Sequence, residues 1–546
     1  MQRFQDDPQM DADGRRIVET RRSAARIVQS FRIAVVVALL VACGQEERSQ
    51  QTLVFGRGSD SIGLDPGIEN DGESFKVCDN IYETLVTYDS ESTAVVPQLA
   101  HSWDIADDQL MWTFHLRTGV RFHDGTPFNA EAMLFSLGRQ FDKDHPFHKV
   151  AGAFKYWQAM GMDDIVAALE APDDSTFVVR LKEPHAPFLG NLAMNFCAAV
   201  SPTAVARYGR DYFKNPVGTG PFRLVEWRKD ERIVLERNPD YWGPKPQLDR
   251  LIFKPIQEGS VRFLELSQGT IHGFDNLSPE YIEPIRADPN LQLLTQAGMN
   301  TGYLAMNMDK KPFDDVRVRR AINHAVDKQA LVDNFYEGLA MPAKNPIPPT
   351  LWSYNDTIAG YGYDPAKARA LLAEAGYADG FETELWAMPV PRPYMPQPSK
   401  IAEAIQADLE KVGIHARIVS WEWGTYLDKV FDGQHQMALL GWTGDNGDPD
   451  NFLYVLLDST AAIKPAQNIS FYRSGELHDA LVAARRSTDR DVRTRLYAQA
   501  QEIVHRDAPW VPLVHATQTV VFQRRVTGFK LHPTGSKWFH STALTP

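Results

Sequence analysis

The sequence predicts an α/β protein carrying an α+β insertion, and three observations support this. In the later half, short apolar runs alternate with amphipathic helical stretches, the pattern of βαβ units around a largely parallel sheet. Between about residues 90 and 215 the runs instead alternate apolar with polar residues, as antiparallel strands with one wet face do. At 546 residues the chain also exceeds one hydrophobic core, so roughly three or four compact units are expected.

Composition narrows the function classes. A hydrophobic share of 43% with 23% charged residues is that of a globular chain able to bury a core. The net charge of −13, with no Lys/Arg cluster on a candidate recognition helix, argues against nucleic acid as a partner. Three cysteines are too few for a disulfide scaffold.

The first 42 residues hold seven Arg and five Asp/Glu, and the apolar run Ile33 to Ala42 follows Arg32. Ten apolar residues are short for a membrane span but fit the core of a secretory signal peptide, expected over 1–42. Residues 43–51 read as a polar tether, and the chain from Cys43 onward carries −15. Export leaves Cys78 and Cys197 as one potential disulfide, which the sequence leaves open.

Along the chain, Leu53 to Phe55 reads as a strand and Ser74 to Tyr88 as a helix with Phe75, Cys78, Ile81, Tyr82 and Leu85 on one face. Strands follow at Leu99 to Asp104, Trp112 to Arg117 and Gly119 to Phe122, then a helix capped by Asn129 and another strand at Thr176 to Lys182. Phe222 to Trp227 and Ile233 to Glu236 make a hairpin. Short strands and helices alternate from Leu251 to Met306. Further strands are expected at Glu382 to Ala387, Ala416 to Val419 and Gln436 to Leu440. Two helices then precede strands at Trp510 to Val514 and Thr519 to Phe522.

The stretch Gly441 to Asn451 follows a buried strand and combines Trp442, Thr443 and Asp445 with three glycines, which let the backbone approach a ligand. It suits a small polar ligand bearing a positive charge; a solvated acidic turn or a calcium loop is the alternative, although the EF-hand spacing is absent. If the strand ending near Ala387 runs parallel in the same sheet, Arg392 emerges at the same edge as Asp445. A short peptide is a zwitterion, and burying it requires opposite charges at its two ends. Asp445 would take the amine and Arg392 the carboxylate, with Trp442 and Tyr394 against the ligand backbone. A surface charge for Arg392 and core packing for the two aromatics are the competing readings. The motifs of metallopeptidases, α/β-hydrolases and redox dithiols are absent, which argues against an enzyme, with a peptide hydrolase as the competing class.

Several of these segments resemble one family. Leu40-Val41-Ala42-Cys43 resembles the lipobox of bacterial lipoproteins, in which Cys43 would be lipidated. Leu99 to Asp124, Asn215 to Phe222, Ala343 to Thr350, Leu385 to Val390 with Arg392-Pro393-Tyr394, and Gly441 to Asn451 resemble the peptide-binding branch of the extracellular solute-binding proteins of ABC importers. That family also holds oligopeptide, nickel, glutathione and haem binders, and the resemblance spans about residues 52 to 540. It implies a two-lobed periplasmic-binding-protein fold closing on its ligand, with lobe I at 52–297 and 516–546, an inserted subdomain at about 90–215, and lobe II at 298–515. It implies that Asp445 holds a dipeptide's amine, that Arg392 holds its carboxylate, and that the loop with Asp71 and Gly72 faces the ligand from the other lobe. The partners implied are an inner-membrane permease with its ATPase, or a chemoreceptor. The chain is expected in the periplasm, anchored through Cys43, as a monomer without metal or cofactor. Haem, glutathione or longer peptides are the alternative ligands. A lipobox is unusual for the freely soluble dipeptide binders, and the cysteine positions differ from theirs.

Overall fold

The computed structural model describes residues 51–545, so the expected signal peptide and Cys43 lie outside the described residues. Strand β1 (Thr52–Arg57) buries Leu53 and Phe55. Helix α1 (Gly72–Ile81) starts where the Asp71 carboxylate accepts the Ser74 N–H, satisfying one of the free donors of the first turn. It ends at Ile81 and gives way to a strand at Val86–Tyr88, shorter than the expected helix, because the β-branched Thr84, Val86 and Thr87 favour extended backbone.

Strands β2 (Ala100–Ile105), β3 (Met111–Leu116), β4 (Val166–Asp173) and β5 (Thr176–Leu181) form an antiparallel sheet in the order β2-β3-β5-β4. Helix α2 (Ala130–Phe141) is capped by Asn129 through the Ala132 N–H and packs on this sheet; the short helix α3 (Lys155–Ala159) follows α2 in the chain. Trp112, Phe114, Leu137 and Phe177 share one apolar cluster, so the insertion has its own core.

The large sheet is built from β6 (Phe222–Arg228), β7 (Arg232–Arg237), β8 (Arg250–Pro255), β9 (Gly273–Asp275), β10 (Leu291–Ala297), β11 (Asn300–Met306), β12 (Phe381–Trp386), β13 (Ile414–Val419), β14 (Met437–Thr443) and β15 (Trp510–Gln523), together with β1. Helix α4 (Pro398–Glu410) joins β12 to its parallel neighbour β13 and buries Ile401, Ile405 and Leu409. Strand order is β13-β12-β14-β11-β15-β9-β1-β8-β7-β6, with β10 also on β15. The sheet is mixed rather than largely parallel. Strand β12 is parallel to β13 and β14, and β1 to β8 and β9, but β11 and β15 run antiparallel to every partner they have in this order.

The two strands expected at the C-terminus are one. The polar residues between them do not interrupt the ladder: His515 and Ala516 pair with Met341 and Ala340, and Thr517 and Gln518 with Ala297 and Gln296. The first half of β15 therefore belongs to one lobe with β11 to β14, and its second half to the other with β9 and β10. The second crossing, Ala297 to Asn300, lies beside it. Asn300 is fully buried; its side-chain oxygen accepts the Ala516 N–H and its amide donates to the Ala516 carbonyl, both at 2.8 Å. Gly298 is required there, since a Cβ would stand 2.4 Å from the Ala516 carbonyl oxygen.

The apolar clusters respect this division: Leu304, Leu385, Leu439 and Val511 share one, and Leu53, Leu235, Phe253 and Phe522 another. Cys78 and Cys197 are buried in separate clusters and both are free, so the potential disulfide is not formed. No helix among the described residues is long and apolar enough to cross a membrane.

Replacing Asn300 with Ala strands both polar groups of Ala516. The expected cost is about 1–3 kcal/mol, read as a lower urea midpoint with an unchanged slope; an unmoved midpoint would show that the clasp contributes nothing.

Candidate ligand-binding site

The insertion and the second lobe meet across the gap between the lobes. Asn446 Nδ2 donates to Asn191 Oδ1 at 2.8 Å, the Ala186 N–H donates to the Arg485 carbonyl at 2.7 Å, and Arg486 pairs with Glu183 at 2.9 Å. Behind these contacts lies a cavity of about 480 Å³. Gly72 and Phe75 on α1, Tyr156 on α3, Phe196, and Thr443 with Asp445 at the tip of β14 all line it. Tyr156 stacks on Phe196 with ring centres 6.1 Å apart and lies 5.6 Å from Phe75, its ring tilted to it by 56°, so one wall of the cavity is aromatic.

Of the acids in the loop after β14, two are paired within the protein: Asp448 with Arg493 at 2.7 Å and Asp450 with Arg485 at 3.3 Å. Asp445 has no cationic partner among the described residues. Its Oδ1 accepts the Tyr156 hydroxyl proton at 3.0 Å, and its backbone N–H donates to Asn451 Oδ1 at 2.9 Å. Burial pushes its carboxyl up to about 6, against the pull of the bonds from Tyr156 and Asn451. A carboxylate held in place yet costly to ionise gains most from a cation that enters the cavity.

The residues expected from sequence divide into two sets. Asp445, Thr443 and Gly72 line the cavity. Trp442 does not: β14 continues through Thr443, alternation turns neighbouring side chains to opposite faces, and the Trp442 indole N–H donates to Asn451 Oδ1 at 3.0 Å. Tyr394 is buried over Gly441, where a Cβ would come within 2.4 Å of its ring; Gly447 likewise packs on Thr93. These two glycines admit protein neighbours rather than the ligand. Asp71 serves as the cap of α1.

Strands β12 and β14 are indeed parallel neighbours, but Trp386 at the end of β12 is level with Ala438 near the start of β14. Arg392 is not among the residues lining the cavity. Its guanidinium lies 4.8 Å from the centre of the Trp423 ring and donates to the Pro391 carbonyl at 3.1 Å, with no carboxylate partner among the described residues. Sequence reasoning missed Tyr156, Phe75 and Phe196 as site residues. Phe75 was legible only as part of an apolar helix face, and a five-residue helix leaves no periodicity by which to single out Tyr156.

The comparisons agree with this architecture. Residues 94–464 match the model of the bacterial extracellular solute-binding proteins, family 5. The dipeptide-binding protein of Escherichia coli K12 is 39% identical over 522 residues, covering 93% of this chain and 97% of that protein. Heme-binding protein A of Haemophilus influenzae is 37% identical, covering 95% and 99%. Among solved structures, the periplasmic binding protein DppA of Helicobacter pylori in complex with the peptide STSA is 40% identical with a TM-score of 0.78, covering 92% of this chain and 100% of that one. HbpA2 of Haemophilus parasuis is 36% identical with a TM-score of 0.85, covering 91% and 100%. With a two-lobed α/β fold, a cavity between the lobes and this degree of likeness along nearly its whole length, the chain belongs to family 5 of the bacterial extracellular solute-binding proteins.

Proposed function

We propose that the protein is the non-catalytic binding component of an ABC importer, capturing dipeptides outside the cytoplasm and delivering them to a membrane permease and its ATPase. The observation that carries this reading is Asp445, a cavity carboxylate with no cationic partner among the described residues. A peptide α-amine would provide that cation, replacing or sharing the Tyr156 hydroxyl. Arg392, also without a carboxylate partner, would leave Trp423 to take the peptide carboxylate. Lobes at 52–297 with 516–546 and at 298–515 would turn about the two crossings beside Asn300. Cys43 would carry a lipid anchor holding a monomer in the periplasm, and presentation of ligand to a chemoreceptor is compatible with the same closure.

The likeness to heme-binding protein A of Haemophilus influenzae supports a second ligand class, and the amine separates the two. Calorimetry with a dipeptide, its N-acetyl form and its C-terminal amide tests the reading. Each blocked form is expected to lose at least about 2 kcal/mol, the scale of one stranded buried charge. Blocked peptides binding undiminished, or haem binding equally to wild type and Asp445→Ala without any dipeptide binding, would overturn it.

The pH dependence follows from Asp445. With its carboxyl at about 6, the ionised form that pairs with an amine is fully present above that pH and is lost as pH falls through it. Affinity is expected to be flat near pH 7 and to fall by up to about tenfold per unit below pH 6, with a proton released on binding. Asp445→Asn flattens the profile; an unchanged profile in that variant would place the titrating group elsewhere.

A further inference from the structure

Among the described residues, Lys76 is the lysine that lines the cavity. It lines the space together with Asp445, Asp79 and Glu83, and the other basic side chain there, His540, is held neutral by burial. The remaining acids are occupied: Asp79 accepts from Asn195 and from the Lys537 N–H, and Glu83 from Thr219, Tyr241 and Trp242. Lys76 stands on α1, one turn after Gly72, and its ammonium lies 2.7 Å from Glu73 Oε1 and 2.8 Å from Asp275 Oδ2. Those carboxylates hold it protonated against the cost of burial. Two hydrogen bonds, to Glu73 Oε1 at 2.7 Å and to Asp275 Oδ1 at 3.1 Å, engage an ammonium that has three N–H donors, and Asp275 is shared with Lys537 at 3.5 Å. The start of α1 faces the same cavity at Gly72, where nothing lies within 4 Å of a built Cβ.

The position of Lys76 matters as much as its charge. Asp445 and Arg392 both belong to the lobe of β12 and β14, so a ligand held by these two alone would bind one lobe as well open as closed. Closure is driven only by contacts that exist in the closed state and not in the open one. Lys76 is on the opposite lobe.

We infer that Lys76 is a carboxylate subsite, so that a ligand whose amine rests on Asp445 gives an anionic group to Lys76 and thereby ties the two lobes together. This rests on the peptide reading above. The carboxylate comes from an acidic side chain where Arg392 takes the C-terminus, or from the C-terminus itself in place of Arg392, and the two sources are separable by experiment.

Calorimetry of wild type, Lys76→Met and Glu73→Gln with Ala-Ala, Ala-Ala amide, N-acetyl-Ala-Ala, Ala-Glu and Ala-Gln tests this, with circular dichroism to establish folding. In wild type, a C-terminal source makes Ala-Ala bind at least about tenfold tighter than its amide, and a side-chain source makes Ala-Glu outbind Ala-Gln by a similar factor. In Lys76→Met that preference collapses to within about threefold, while the N-acetyl penalty set by Asp445 persists. Glu73→Gln keeps Lys76 and removes one of its counter-charges, so it enlarges the preference and covers the case in which Lys76→Met does not fold. Peptide binding with an intact N-acetyl penalty but a preference unmoved in either folded variant overturns this inference alone. Absence of peptide binding in wild type overturns the dipeptide reading and the inference with it.

Discussion

One backbone ladder ties the molecule together. Strand β15 hydrogen-bonds to β11 through its first half and to β10 through its second, so the two lobes share a strand rather than a flexible linker. A continuous ladder resists stretching and shear but tolerates twist, which is the freedom a closing cleft needs. The neighbouring crossing at Ala297 to Asn300 is clasped to it by a buried amide that satisfies both polar groups of Ala516. Because the apolar clusters of the lobes do not mix across this line, each lobe can move as a packed body without opening its core.

The electrostatics of the site depend on that geometry. Strand β14 delivers its acidic loop to the gap between the lobes, where the insertion contributes Asn191, Tyr156 and the neighbouring aromatic wall. Burying several carboxylates together is costly unless each has a partner. Arg493 and Arg485 neutralise two of them from the second lobe's own helices, which leaves Asp445 alone with neutral donors. The charge left uncompensated is the one that faces the cavity. On the other side, Lys76 lies between Glu73 and Asp275, whose carboxylates hold its ammonium protonated against the cost of burial.

Much of the fold was legible in the sequence because it is written in local terms. Asn129 as a cap, the hairpin around Lys229-Asp230 and the face of Ile401, Ile405 and Leu409 are all set by residues within a few positions of one another. Asp445 was legible for the same reason, as an acid in a turn after a buried strand. What escaped depends on distant partners. The unity of β15 comes from β10 and β11 supplying a ladder across its polar middle, and Trp442 and Tyr394 look like binding aromatics until Asn451 and Gly441 are seen to occupy them. Tyr156 and Asp445 are 289 residues apart, and nothing in either segment announces the other.

The account turns on a ligand amine meeting the Asp445 carboxylate. A crystal structure of the protein with an unmodified dipeptide addresses this directly. The α-amine is predicted within about 3 Å of an Asp445 oxygen, inside the cavity walled by Tyr156 and Phe196. A dipeptide whose amine points to solvent or to another acid, with Asp445 still bonded only to Tyr156 and Asn451, would contradict it.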